Sequence, residues 1–86
     1  MKLISTKRFE KSLRKLSSDQ EERVQHALHL FTENPFNEAL RNHALHGKWK
    51  RMRSISAGFD VRIIYQEKNN HAIVILVKAG THNQVY

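Results

Sequence analysis

The second half of this sequence gathers side chains suited to holding an anion while protons move. His43 and His46 flank Ala44-Leu45, and Lys50 and Arg53 follow Trp49. Asp60 and Arg62 bracket Val61, and the last stretch, Gly80-Thr-His-Asn-Gln-Val-Tyr86, brings His82 and Tyr86. Imidazole exchanges protons near neutral pH. Guanidinium is permanently charged and forks onto two oxygens of one oxyanion.

Other chemistries find less support. His26-x-x-His29 and His43-x-x-His46 have a spacing seen in some metal sites, but no nearby Asp or Glu completes a set. The chain has no cysteine, so disulfides and thiolate metal sites are excluded, and a reducing compartment fits. On a strand, His43 and His46 would point to opposite faces. No nucleophile elbow and no phosphate-binding glycine pattern occurs. Neither a metal nor a cofactor is expected.

These residues need a scaffold, and the patterning supplies one. Leu3 and Ile4 form a short apolar patch that fits a first strand. Thr6 can cap a helix in which Phe9, Leu13 and Leu16 fall on one face, with Lys7, Arg8, Lys11, Arg14 and Lys15 on the other. Ser18-Asp19-Gln20-Glu21 fits a capping box, and Val24, Ala27, Leu28 and Phe31 form the apolar stripe of a second helix. Asn34-Pro35 ends it. Residues 37–50 read as irregular, punctuated by Gly47. Arg51–Ser56 reads as a strand and Ser56–Phe59 as a tight turn. Phe59, Val61, Ile63 and Tyr65 alternate with Asp60, Arg62 and Ile64. After a turn at Lys68-Asn69-Asn70, residues 72–77 are apolar on both faces and mark a central strand. The expectation is one α+β domain, residues 1–86, in the order β-α-α-β-β-β. Two N-terminal helices pack on one face of a small, mainly antiparallel, twisted sheet.

A tight turn at Ala57-Gly58 would pair residues whose numbers sum to 115. Ser54 would then face Val61, Met52 would face Ile63 and Ser56 would face Phe59, on the helix-covered side. Arg53 would face Arg62, and Ile55 would face Asp60, on the open side. Two facing arginines repel, and an anion between them would relieve the repulsion. A solvated polar face is the plain alternative. His43, His46 and His82 flank these strands and can reach the same face. His26, His29 and His71 read as surface residues. Tyr65 reads as core, and Trp49 as an anchor for the loop before it.

The net charge of +7 is uneven. Residues 1–40 hold seven Lys/Arg against six Asp/Glu, and residues 41–86 hold eight against two. That surplus points to a polyanion, with nucleic acid the usual one. No apolar run approaches a membrane span, and the opening residues lack the apolar core of a secretory signal. A cytoplasmic domain without membrane contact is expected.

The ordered set His43-x-Leu45-x-Gly47-x-Trp49-Lys50-x-x-Arg53, then Ile64-Tyr65, then Gly80-Thr81-His82, resembles the YafQ-type branch of the RelE/ParE toxin superfamily. The motifs span residues 40–86, and the element order spans the chain. The resemblance implies a RelE-like fold and a toxin of a type II toxin–antitoxin pair. It further implies an endoribonuclease that cuts mRNA on the translating ribosome without a metal. The 2′-hydroxyl would attack its own phosphorus, with a base, an acid and cations in attendance. Carried over, His82 is the general acid and His43 a second catalytic histidine. Asp60 is an acidic site residue that orients or activates a partner. Arg53, Lys50, Arg62, His46 and Tyr86 would contact substrate, Tyr86 by stacking on a base. The implied partners are a cognate antitoxin, mRNA and the ribosome, and operator DNA for the toxin–antitoxin complex. The family has a histidine near Ser56, and serine alone is no base at neutral pH. Two alternatives share this fold: a ParE-like protein acting on DNA gyrase, and a toxin that retains only antitoxin binding.

Overall fold

The computed structural model describes all 86 residues. β1 (Lys2–Ser5) leads into α1 (Lys7–Leu13) and α2 (Ser18–Glu33). A single 3-10 turn, Glu38–Leu40, precedes the short β2 (His43–Ala44). A second such turn, Gly47–Trp49, leads to β3 (Arg53–Ser56), β4 (Val61–Lys68) and β5 (Ile73–Thr81). A last helical turn, α3 (His82–Val85), follows β5 directly. The sheet order is β1-β5-β4-β3-β2, with β1 parallel to β5 and every other pair antiparallel. The sheet is therefore mixed, and β5 lies inside it, as its two-sided apolar character requires.

α2 forms where the sequence places it, whereas α1 stops at Leu13, so Leu16 meets the core from the turn that follows rather than from the helix. The Thr6 hydroxyl accepts from the Phe9 amide at 3.0 Å and donates to the Leu76 carbonyl at 2.8 Å, tying the start of α1 to β5. The capping box of α2 sits one residue earlier than expected. Ser17 and Gln20 exchange the two bonds, at 3.0 and 3.2 Å. Val24, Ala27 and Phe31 are buried on the sheet, together with Phe9, Leu40, Ile55, Val61, Ile63, Tyr65, Val74, Leu76 and Ala79. A smaller cluster, Trp49, Ile64 and Val85, covers part of the other face. A bulge between Ile64 and Tyr65 sets Lys78 opposite Ile64 and Leu76 opposite Tyr65. The extra residue is Val77 of β5; Ile64 and Tyr65 serve different clusters because successive strand residues face opposite sides.

The β3–β4 register departs from the expected one. Ser56 pairs with Arg62, Ile55 with Ile63, Ser54 with Ile64 and Arg53 with Tyr65. The connection is longer than a two-residue turn. Val61 donates to the Gly58 carbonyl at 3.0 Å and Ala57 donates to the Val61 carbonyl at 2.8 Å. Gly58 and Phe59 take positive φ angles of 87° and 42°. The shift is odd, so it exchanges the faces of β3. Ile55 enters the main core at 1% exposure instead of facing Asp60. Ser54 and Ser56 move to the face away from the helices, and Arg53 moves to the helix side. Burying an isoleucine, worth about 2 kcal/mol, decides between the two registers. Phe59, expected on the core face, lies in the turn and is 84% exposed, with the Arg23 guanidinium 4.6 Å from its ring centre.

Candidate functional site

Arg41, His43, Ser56, Arg62, His82 and Tyr86 line a cavity of about 310 Å³ on the sheet face opposite α2. Each arrives by a different local device. Arg41 ends the first 3-10 turn in a left-handed conformation, with φ 49°. His43 is carried by β2, opposite Ser54. Ser56 and Arg62 are cross-strand neighbours. His82 and Tyr86 come from α3 and the residue after it.

α3 is fixed by several contacts at once. Its Gln84 side chain accepts from the Thr81 amide at 2.7 Å, and the His82 amide donates to the Asp60 carbonyl at 3.0 Å. The Trp49 indole N–H donates to the Val85 carbonyl at 3.0 Å in a buried contact. The Tyr86 hydroxyl donates to Ser54 Oγ at 2.6 Å, and its ring meets the edge of the His82 ring at 4.7 Å. β5 runs through Gly80 to Thr81. A Cβ at position 80 would come within 2.9 Å of Gln84 Oε1 and 3.0 Å of its Cβ. Glycine there lets α3 fold down onto β5.

The polar geometry gives each group a direction. His43 Nδ1 lies 2.8 Å from the Arg41 carbonyl. A carbonyl can only accept, so Nδ1 carries the hydrogen, and the neutral ring offers Nε2 as an acceptor. Arg62 Nη1 donates to the carbonyls of Phe59 and Val61, both at 2.9 Å, and lies 3.4 Å from Ser56 Oγ. One edge of the guanidinium is thereby anchored, and its other N–H groups are left for a ligand. The lining holds two guanidiniums and two imidazoles and no Asp or Glu, so the cavity suits an anion. Basic groups continue along this face. Arg8 and Lys48 lie 5.0 and 5.7 Å from the Trp49 ring centre. Lys78 is held below the usual lysine range by partial burial, and then by the like charges of Arg8, Lys48 and Lys15.

Four of the expected site residues thus converge: His43, Arg62, His82 and Tyr86. Four do not. Arg53 lies on the helix side, where its Nε donates to Asn42 Oδ1 at 2.8 Å and its guanidinium sits 5.6 Å from the Phe36 ring centre. The register shift is the cause. Asp60 reaches the site through its carbonyl, not its carboxylate. Lys50 and His46 are exposed outside the cavity wall. Arg41 joined the lining without being singled out, although it stands two residues before His43. His71, read as a surface residue, is buried beneath Phe36 and Phe31. Trp49 is the anchor it was read as, and Tyr65 is core.

A larger groove, about 760 Å³, runs between α2 and the β3–β4 turn past Arg23, His26 and Phe59. It has one histidine and one arginine, beside Asp19 and Glu22, and lacks the paired cations of the smaller cavity. No group of three or more His, Asp or Glu is arranged to hold a metal ion. No helix is long and apolar enough to cross a membrane.

Comparison with known proteins places the molecule. The chain resembles a copper-bound mutant toxin from Helicobacter pylori, with 28% identity, a TM-score of 0.72, and coverage of 100% of this chain and 99% of that one. It shares its fold with YafQ from E. coli strain BL21(DE3), with a TM-score of 0.81 at 17% identity over 98% of this chain and 96% of that one. The E. coli DinJ–YafQ complex matches with a TM-score of 0.75, at the same identity and coverage. No curated protein sequence matches the chain. The family profile described as the bacterial toxin of type II toxin–antitoxin systems, YafQ, matches residues 1–86. The whole chain therefore belongs to the YafQ family of type II toxins.

Proposed function

We propose that this protein is a metal-independent endoribonuclease that cleaves mRNA by attack of a 2′-hydroxyl on the adjacent phosphorus. The observation that carries the reading is the meeting of His43, His82, Arg41 and Arg62 in one cavity lined by no Asp or Glu. His43, with Nδ1 tied to the Arg41 carbonyl, presents Nε2 to take the 2′-hydroxyl proton. The oxygen then attacks phosphorus, and the bond to the 5′-oxygen breaks. His82 gives that oxygen a proton. The products are a 2′,3′-cyclic phosphate and a free 5′-hydroxyl. Arg62 and Arg41 hold the non-bridging oxygens as charge builds on them. The Tyr86 ring offers a surface for a base. Asp60 acts by fixing the start of α3, while Lys50 and His46 meet RNA outside the cavity.

The basic band of Arg8, Lys48 and Lys78 extends the surface for a longer RNA, which fits cleavage on the translating ribosome. A cognate antitoxin is the partner, by analogy with the E. coli DinJ–YafQ complex, and the toxin–antitoxin pair would take operator DNA as its target. The test is 5′-end mapping of mRNA after brief induction, in the native protein and His82→Ala. In-frame cuts that vanish in the variant are expected. Intact mRNA with blocked DNA supercoiling would turn the assignment to gyrase.

A further inference from the structure

Between the two pocket residues Arg41 and His43 lies Asn42, whose side chain points the other way, into the helix side of the sheet. Its Nδ2 donates to the Pro35 carbonyl at 2.8 Å and to the Tyr65 hydroxyl at 2.6 Å, and its Oδ1 accepts from Arg53 Nε at 2.8 Å. The Tyr65 oxygen lies 2.8 Å from His71 Nε2. These bonds run in one direction only. Arginine can only donate, so Asn42 presents its oxygen to Arg53 and its amide to Tyr65. Tyr65 receives that hydrogen and gives its own to His71 Nε2. His71 Nε2 must therefore be bare, and Nδ1 carries the hydrogen, 3.8 Å from Glu67 Oε2.

We infer that Asn42 is a positioning residue for the Arg41–His43 arm of the pocket, latched through Tyr65 to neutral His71. The inference rests on the proposed RNA-cleaving role of that pocket. Arg41 is held in a left-handed conformation, φ 49° and ψ 45°, which a non-glycine residue does not keep unaided. The anchored Asn42 beside it supplies the restraint. Protonating His71 would aim two donors at Tyr65 and leave the phenol hydrogen without an acceptor in a buried site. The groups facing His71 are Glu67 and Tyr65 from β4 and Arg53 from β3, while α2 and the following loop contribute only the rings of Phe31 and Phe36. Burial, reinforced by Arg53 and opposed by Glu67, holds His71 below the usual histidine range. Burial likewise raises Tyr65, so it stays a donor.

The test follows His71 and the Arg41 amide by NMR from pH 4.5 to 8, alongside single-turnover RNA cleavage, in the native protein, Asn42→Asp and His71→Gln. A carboxylate at position 42 accepts from Tyr65 and reverses the chain, so the His71 titration should move up by about one unit or more. Cleavage by Asn42→Asp should fall at least tenfold, through kcat rather than KM. In the native protein, protection of the Arg41 amide should change as His71 protonates. In His71→Gln, which lacks that imidazole, this change should be absent. A His71 titration unmoved by Asn42→Asp, or an Arg41 amide response identical in the native protein and His71→Gln, would overturn the latch. The NMR readouts stand without RNA. Absent cleavage with the expected titrations would sink the nuclease reading and leave the latch in place.

Discussion

At the scale of single residues, the cavity divides labour among groups that differ in how firmly they are held. His82 and His43 are exposed enough to meet substrate, yet His82 is set by the Asp60 carbonyl and His43 by the Arg41 carbonyl. Neither truncation removes core packing. His82→Ala should therefore lower the single-turnover cleavage rate by about 10²-fold or more, the range for a lost proton donor, with an unchanged melting temperature. His43→Ala should do the same through loss of the base. Arg62 makes a subtler case, because its anchored fork is what a lysine lacks. Arg62→Lys should keep RNA binding within a few-fold and still lose about tenfold in rate; full activity would remove Arg62 from phosphate contact. Ser56 lies 3.4 Å from Arg62 Nη1 on the cavity wall. A histidine there would stand beside Arg62, so Ser56→His is expected to raise the cleavage rate.

Elements decide which of these residues meet, and here the chain was readable in unequal measure. The α2 stripe, the alternation of β4 and the two-sided β5 were legible because each is a local pattern tied to one period. The capping box moved by one residue because two serines compete for the same cap. The β3–β4 register was not legible, since Ser-Ala-Gly-Phe fits a short turn as well as the longer one that buries Ile55. Arg53 was misplaced by that single slip. His71 escaped notice because burial depends on Phe36, which no local pattern brings to it. His43, Arg62, His82 and Tyr86 still share one cavity, because they owe their positions to strand ends and α3. Trp49 is the prop of α3. Trp49→Phe leaves the buried Val85 carbonyl without its donor, which should cost about 1–3 kcal/mol. It should also loosen His82, seen as a fall in cleavage at temperatures where the fold persists. Gly80→Val should act more severely, because Gln84 already stands within 2.9 Å of the first added carbon.

For the molecule as a whole, charge and pH set the working range. The chain carries +7, and the basic band of Arg8, Lys48 and Lys78 has repulsion to relieve by binding a polyanion. RNA affinity should fall steeply with salt, and Lys48→Gln should lessen the slope of log K against log salt by about one. Stability should carry the mark of His71. Its pKa is lowered in the folded protein, so the unfolded chain binds the proton first. The contribution is complete above the ordinary histidine value of 6.5 and is lost as pH falls below it, down to the lowered folded value. His71→Gln should flatten that decline in a melting-temperature series from pH 7.5 to 5. The central claim is that this cavity makes the 2′-hydroxyl of RNA attack its own phosphorus. Its most direct test is cleavage of a mapped target RNA, beside the same strand carrying one 2′-deoxy sugar at the scissile nucleotide. A cut with a 2′,3′-cyclic phosphate end is expected in the first and no cut at that position in the second. Cleavage of the deoxy-substituted strand at the same bond would contradict that claim.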